Sequence, residues 1–310
     1  MNKQIRNSFL LAFAALLWGI SFVFQSEGGD AIGPYSFNCI RCFIGSAVLL
    51  PVIWFCDRLS ISKKPQTKQD KKTLWLAGLS SGSLLFIATN LQQLGMYFGT
   101  PSSKAGFLTA CYIVLVPVFG LFLKKKCGWN IWIGVILCVC GLYFLCINTT
   151  LSLEFWDFLT ILCAPVFALQ ILVIDHFSPK VDGVRLSCIQ FLFCGLFTAI
   201  PMFFLEINST WIYQFNASAW VSLLYAGICS CGIAYTLQII GQKDLNPTIA
   251  SMIMSLESVF SVLASWLLLG QVLSSREIGG CILIFIAIIL AQLPMDSIYQ
   301  FIPSLVKVRE

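Results

Sequence analysis

Ten runs of mostly apolar residues, each about as long as a membrane-spanning helix, occupy almost the whole chain. A helix needs about 20 apolar residues to cross a hydrocarbon core of roughly 30 Å. The composition agrees, because only 11% of the residues are charged, against about 25% in soluble domains. We predict an all-α integral membrane protein with ten transmembrane helices, at residues 7–26, 34–56, 73–98, 103–123, 129–147, 155–177, 184–205, 219–240, 247–269 and 277–293.

Charge and cysteine content argue against several other classes of protein. The formal net charge is +5, but Lys and Arg lie in short loops and form no basic face with interleaved aromatics, so we expect no nucleic-acid binding. Most of the fourteen cysteines lie inside apolar runs, which favours buried free thiols over a disulfide scaffold. The lone histidine, His176, has no second ligand at helical spacing. We predict no catalytic set, no metal site and no cofactor.

The distribution of Lys and Arg predicts the orientation of the chain. With the N-terminus in the cytoplasm, sixteen of the nineteen Lys and Arg residues fall in inside segments. Two, Lys104 and Arg276, fall in outside loops, and Arg41 lies within a helix. Cytoplasmic loops of membrane proteins are enriched in Lys and Arg. We therefore predict a multi-pass protein of the plasma membrane, embedded in the lipid bilayer, with both termini in the cytoplasm.

The chain also contains an internal repeat. The segment KAGFLTACYIVLVPVFGLFL, which begins at Lys104, aligns with IASMIMSLESVFSVLASWLL at a constant offset of 145 residues, and at the same offset Gln93 matches Gln238. In the second predicted helix, SFNCIRCFIG resembles RLSCIQFLFCG at an offset of 149. Each repeat holds five predicted helices. Because five is odd, the second repeat must enter the membrane inverted relative to the first.

This repeat divides the chain into three parts. The first five-helix repeat is predicted at residues 7–147 and the second at 155–293. Residues 294–310 are predicted to form a cytoplasmic tail.

The same segments resemble a known family. The opening LLWGISFVF, the IRCFIG of the second helix and the AGFLTACYIVLVPVFGLFL of the fourth are similar to EamA-type members of the drug/metabolite transporter superfamily. So is the stretch SLESVFSVLASWLLLGQVLSSREIGGCILIFIAIIL across the ninth and tenth helices. The resemblance covers about residues 8–146 and 155–292.

The resemblance implies ten helices in two five-helix repeats around a central cavity. The fifth and tenth helices of the family often form a dimer contact, so a homodimer is a further prediction. Members move amino acids, other metabolites or toxic compounds, many as exporters. The chain departs from the family at two positions: Ser258 stands where a proline is frequent after the glutamate, and Gln271 where glutamate is common.

Two charged residues lie well inside predicted spans, where a charge is costly. Glu257 is near the centre of the ninth helix, and Arg41 is about 10 Å into the second at a rise of 1.5 Å per residue. In one interpretation they neutralise each other, or Arg41 binds backbone carbonyls. In the other, both residues belong to a substrate-binding site, and Glu257 also exchanges protons near neutral pH because the site is poorly solvated.

Further candidate substrate-binding residues are polar or aromatic. At the offset of 145, Tyr112 matches Glu257, so both would face the pseudo-two-fold axis where such transporters bind substrate. Interhelical hydrogen bonding is the alternative role for the amides, and packing for the tryptophan. These candidates are Tyr112, Asn90, Gln93, Tyr235, Gln238, Gln170 and Trp18.

We therefore predict a secondary transporter that exports small metabolites, such as amino acids or amphipathic and toxic compounds, and that couples to protons through Glu257. One carboxylate with several amides suits a zwitterionic or cationic substrate better than a polyanion. The alternative is a membrane-embedded enzyme acting on a lipid-linked or apolar substrate, which would need a catalytic set near an interface.

Overall fold

The computed structural model describes residues 3–60, 64–124, 128–146, 153–207, 211, 215–269 and 274–293. The predicted tail at 294–310 and Gln271 lie outside these residues. The described chain forms thirteen α-helices and one π-helical segment: α1 Lys3–Ile32, α2 Pro34–Arg58, α3 Lys68–Tyr97, α4 Ser102–Ala110, α5 Tyr112–Phe122, α6 Trp129–Cys146, α7 Asp157–Phe177, α8 Gly183–Leu205, α9 Ala217–Leu224, the π-helical segment Tyr225–Ala234, α10 Tyr235–Gln242, α11 Pro247–Met254, α12 Leu256–Leu269 and α13 Ser275–Gln292.

These helices agree with the predicted spans. Within the described residues, nine segments are helical, long enough and apolar enough to cross a membrane. The remaining predicted span, 247–269, forms α11 and α12, and its apolar helical part Pro247–Leu263 is shorter. The chain is thus an all-α, multi-pass membrane protein, as predicted from its apolar runs.

Three spans that we predicted as continuous α-helices are not regular. The span at 219–240 contains the ten-residue π-helical segment, a conformation that is rare and often found at functional sites. The fourth span is interrupted at Cys111, between α4 and α5, and the ninth at Ser255, between α11 and α12. At Ser255 the hydroxyl donates to the carbonyl of Met252 at 2.7 Å, a side-chain bond that competes with the helical pattern.

The helices associate in pairs that join the two repeats. α6 packs along α13 and α2 along α8. Between α6 and α13 the backbones touch: a Cβ on Gly141 would lie 2.8 Å from the carbonyl oxygen of Gly280. Small residues allow this close approach in membrane helices. Each pair therefore joins helices of the same rank in the two predicted repeats.

The two ends of the molecule are held by different contacts. At one end, the Asp157 end, the start of α7 binds the start of α4 through the ion pair between Asp157 and Lys104, and Thr100 Oγ1 donates to Asp157 at 2.9 Å. At the opposite end, the Lys243 end, the Asn7 side chain donates to the carbonyl of Lys243. The start of α8 is also joined there to the end of α2 by an ion pair between Arg185 and Asp57.

Candidate functional site

A small cavity of about 60 Å³ lies inside the helix bundle and is lined by helices from both predicted repeats. One water molecule needs roughly 10–15 Å³ by the same measure, so this volume has room for a few waters. Its wall is contributed by α1, α2, α3, α4, α5, α7, the π-helical segment, α10, α11 and α12. Residues of all three irregular spans line this cavity. The departures from regular α-helix are therefore found in spans that reach the cavity.

Glu257 is the acidic group of the cavity wall. It lies in the first turn of α12, directly after the interruption at Ser255, and only 7% of the residue is exposed. The N-terminus of a helix carries partial positive charge, which favours a carboxylate there. In the described part of the chain no salt bridge reaches Glu257. A Cβ on Gly19 of α1 would lie 2.6 Å from the Glu257 carbonyl oxygen, so α1 packs directly on this turn.

Arg41 is the basic group of the same wall. Its Nη1 donates to Gln25 Oε1 at 2.9 Å, and its guanidinium carbon lies 5.5 Å from the centroid of the Phe37 ring. Its Nε has no hydrogen-bond partner within the described residues. Of the roles considered from the sequence, a direct ion pair with Glu257 is not formed among these residues. Arg41 and Glu257 instead face the same cavity separately.

Aromatic side chains form another part of the wall. The rings of Trp18 and Tyr235 have centroids 4.7 Å apart at an interplanar angle of 66°, and the Phe191 ring lies 5.2 Å from Tyr235. Edge-to-face contacts of this kind are favourable for aromatic pairs. The buried indole Nε1 of Trp18 has no partner within the described residues. The wall thus offers flat apolar surface together with a hydrogen-bond donor.

The cavity brings together seven of the nine candidates that we named from the sequence. Asn90 and Gln93 do not line it. Asn90 donates to the Phe86 carbonyl at 2.8 Å and to Thr198 Oγ1 at 3.0 Å, and Gln93 donates to the Gln25 carbonyl at 2.9 Å. These two amides therefore join helices. The residues that do line the cavity are Trp18, Arg41, Tyr112, Gln170, Tyr235, Gln238 and Glu257, and their binding of substrate stays a prediction.

Sequence reasoning missed two amides that line the cavity. Gln25 was placed at the end of a predicted span, whereas α1 continues to Ile32 and leaves Gln25 inside the bundle. Gln92 lines the cavity in place of its neighbour Gln93, and its Nε2 donates to Thr109 Oγ1 at 2.9 Å. The apolar pattern of α3 indicates a buried face, but adjacent residues differ by about 100° around the axis. The apolar pattern does not fix the rotation of α3 closely enough to show whether Gln92 or Gln93 faces the cavity.

Matched positions of the two repeats meet at the cavity. Trp18 with Phe167, and Phe22 with Ile171, are each 149 residues apart, and all four line the wall. At the offset of 145, the wall also contains the pairs Thr109 with Met254 and Tyr112 with Glu257. The cavity thus lies where equivalent parts of the two repeats come together.

Comparison with known proteins identifies the family. The sequence pattern of the EamA-like transporter family matches residues 6–147 and, a second time, residues 154–293. The chain belongs to the EamA-like transporter family. As an EamA-like protein it is a membrane transporter, and the cavity lies between the two segments that match the family.

Relatives of this EamA-like transporter carry similar names. An "uncharacterized transporter" of Archaeoglobus fulgidus is 28% identical over 292 residues, which cover 94% of this chain and 87% of the relative. The "uncharacterized transporter YoaV" of Bacillus subtilis is 26% identical over 277 residues, covering 87% and 90% of the two chains. A solved crystal structure with 18% identity has a TM-score of 0.73 and covers 93% of this chain and 96% of its own. It shares the fold.

Proposed function

We propose that this EamA-like protein is a secondary transporter that exports small metabolites, such as amino acids or amphipathic and toxic compounds, across the plasma membrane and couples to protons through Glu257. One observation carries the proposal: a carboxylate faces a cavity inside the bundle, and no salt bridge reaches it in the described part of the chain.

An ionised carboxylate in such a place is costly unless something compensates its charge. Either a proton or a cationic group of the substrate can do so, and the two compete for the same oxygens. Competition of this kind links the movement of a proton to the movement of a substrate. Glu257 is therefore proposed as both the proton-coupling residue and the residue that receives the positively charged group of the substrate.

The remaining wall limits the chemistry of the substrate. Arg41 Nε and Trp18 Nε1, which have no partner among the described residues, can each donate to an oxygen atom, while Tyr235 and Phe167 offer apolar surface. A zwitterion with an apolar side chain would satisfy Glu257, Arg41 and the aromatic wall together. A cavity of about 60 Å³ is small beside the roughly 300–1,000 Å³ of sites for drug-sized ligands. Binding such a substrate would therefore require the helices to separate.

Three further properties belong to the same proposal. The two matched segments are inverted relative to each other in the membrane, which the pairing of α6 with α13 and of α2 with α8 supports. Both termini are cytoplasmic, so the Lys243 end faces the cytoplasm, as the distribution of Lys and Arg favours. Two copies associate as a homodimer through the exposed apolar faces of α6 and α13.

Thermal stabilisation of the purified protein tests the proposal. The panel contains amino acids, polyamines, nucleosides and toxic cations, and a ligand at about 100 times its dissociation constant adds about 2.7 kcal/mol to stability. We expect at least one zwitterionic or cationic ligand to raise the unfolding temperature of the wild type but not of Glu257→Gln. The variant should itself unfold no earlier, because it removes a buried charge.

Flux in proteoliposomes then separates binding from coupling. We expect an imposed pH gradient to drive uptake of the stabilising ligand by the wild type, and Glu257→Gln to reduce this flux by about 100-fold, or about 2.7 kcal/mol. Gradient-driven flux that persists in the variant would refute coupling through Glu257. Absence of any ligand-dependent flux in the wild type would refute the proposed transport itself.

A further inference from the structure

Three buried glutamine side chains on α7, α8 and α10 have an amide nitrogen without a hydrogen-bond acceptor in the described part of the chain. They are Gln170, Gln190 and Gln242. Among the described residues neither the nitrogen nor the oxygen of the Gln242 and Gln190 amides has a partner, although each residue is at most 1% exposed. Within the same residues Gln238 Oε1 also lacks a partner, and the Gln238 nitrogen makes a long contact of 3.4 Å to Gln170 Oε1. Buried polar groups are normally hydrogen-bonded, to protein or to ordered water.

Gln242 lies outside the cavity but on the same face of its helix as two cavity residues. Tyr235, Gln238 and Gln242 fall within an arc of about 60° around α10, at about 100° per residue. Tyr235 and Gln238 face the cavity, so Gln242 continues that face about 6 Å towards the helix end, at 1.5 Å per residue. The next residue, Lys243, borders a cleft of about 930 Å³ at the Lys243 end.

We infer that a water-filled passage runs from the cavity along this face of α10, past Gln238 and Gln242, and opens at the Lys243 end. Water satisfies the amides that the protein leaves without partners, because a small polar site with several donors and acceptors retains water. The passage connects Glu257 to solvent on one side of the membrane only. It is a property of the fold and does not depend on which substrate the transporter moves.

Towards the Asp157 end the side-chain nitrogens of the corresponding amides are bonded to protein. Asn38 Nδ2 donates to the Thr89 carbonyl and to Asn90, Asn90 Nδ2 donates to Thr198, and Gln93 Nε2 donates to the Gln25 carbonyl. These bonds join α1, α2, α3 and α8 across the bundle. Within the described residues this network leaves Asn38 Oδ1 and Gln93 Oε1 without a partner but no side-chain amide nitrogen, so it joins the helices by direct protein contacts. Because Gln242 has an amide nitrogen that is unbonded in the described part of the chain and the amide nitrogens towards the Asp157 end are bonded, we infer that the passage opens at the Lys243 end.

Thiol labelling tests the passage in the full-length protein in proteoliposomes. Gln242→Cys is treated with a small, charged methanethiosulfonate, and labelled peptides are identified by mass spectrometry so that the native cysteines stay in place. Thr236→Cys is the matched control, since Thr236 lies on the same helix but on another face and bonds the Gly232 carbonyl. Because only a hydrated, accessible thiol reacts readily, we expect Gln242→Cys to be labelled about tenfold faster. Equal rates would overturn the inference.

A second variant keeps the test valid if Gln242→Cys does not fold. Gln242→Met has a similar side-chain length and no polar group, so we expect it to raise the unfolding temperature while slowing the labelling of Gln238→Cys by about tenfold, because water is excluded from the route. Labelling of Gln238→Cys that is unchanged by Gln242→Met would place the water route elsewhere and refute the passage. Fast labelling of Gln242→Cys, together with no ligand-dependent flux in the wild type, would count against the proposed function and leave the passage supported.

Discussion

The buried amides of the first repeat have their donor nitrogens bonded, whereas most of those of the second repeat do not. In the first repeat the side-chain nitrogens of Gln25, Asn38, Asn90, Gln92 and Gln93 all donate to protein acceptors. In the second repeat those of Gln170, Gln190 and Gln242 donate to none among the described residues. Residues of the same type thus hold helices together in one repeat and remain available for water or substrate in the other.

This difference appears even at matched positions. Gln93 and Gln238 are 145 residues apart, yet Gln93 bonds α1 while Gln238 faces the cavity. Arg41 and Gln190, at the offset of 149, differ in charge as well as in position relative to the cavity. The repeat therefore predicts which backbone positions are equivalent, but the role of each side chain depends on its own neighbours. Replacing matched residues in the two repeats is the direct way to test this conclusion.

The largest effect on stability is expected at the helix crossing beside Glu257. Gly19 of α1 matches Ala168 of α7, but a Cβ on Gly19 would lie 2.6 Å from a backbone oxygen and 2.8 Å from a backbone nitrogen of α12. We expect Gly19→Ala to lower the free energy of unfolding by about 1–3 kcal/mol, the usual cost of overpacking, as measured by thermal unfolding in detergent.

Gly279→Ala is the control for this substitution. Nothing lies within 4 Å of the position of its Cβ, so the substitution should raise stability by up to about 1 kcal/mol through helix propensity. If Gly19→Ala left stability unchanged or raised it, as expected for Gly279→Ala, α1 would not pack tightly on the first turn of α12.

A smaller effect is expected for Asn90, whose matched residue is Tyr235. Asn90→Leu removes bonds to Phe86, Thr198 and Asn38, and should lower the free energy of unfolding by about 1–2 kcal/mol. Tyr235→Phe should change it by less than about 0.5 kcal/mol while altering ligand-induced stabilisation. If Tyr235→Phe lost more stability than Asn90→Leu, Tyr235 would have the structural role and Asn90 would not.

The smallest effect is expected for the matched glutamines. Gln93→Leu removes one interhelical hydrogen bond and should cost about 0.6–1 kcal/mol, the average for such bonds in membrane proteins. Gln238→Leu loses only a long contact to Gln170, so its stability should be unchanged or higher, with about tenfold weaker ligand binding. Unfolding curves and ligand titrations on both variants would distinguish these outcomes. Equal losses of stability in the two variants would show that Gln93 and Gln238 contribute equally to holding the helices together.

Many features of the fold follow from the sequence because they depend on local composition. The observed α2, α6 and α8 end within two residues of the predicted limits, since apolar length alone sets a membrane span. The interruptions at Cys111 and Ser255 were not predicted. The chain lacks the proline that the family often carries after the glutamate, and yet the ninth span is interrupted three residues before Ser258. At this interruption the Ser255 hydroxyl donates to the Met252 carbonyl.

The sequence by itself determined that the chain crosses the membrane many times, that it contains two related segments, and that Glu257 lies in the interior. These conclusions rest on apolar length, on residue spacing and on the cost of a charge in lipid. Only the tertiary structure decided that Gln92 rather than Gln93 faces the cavity, that Arg41 binds Gln25, and which amides have partners. The reason is physical: the rotation of each helix is set by its packing against several neighbours at once, and about 100° of rotation separates adjacent residues.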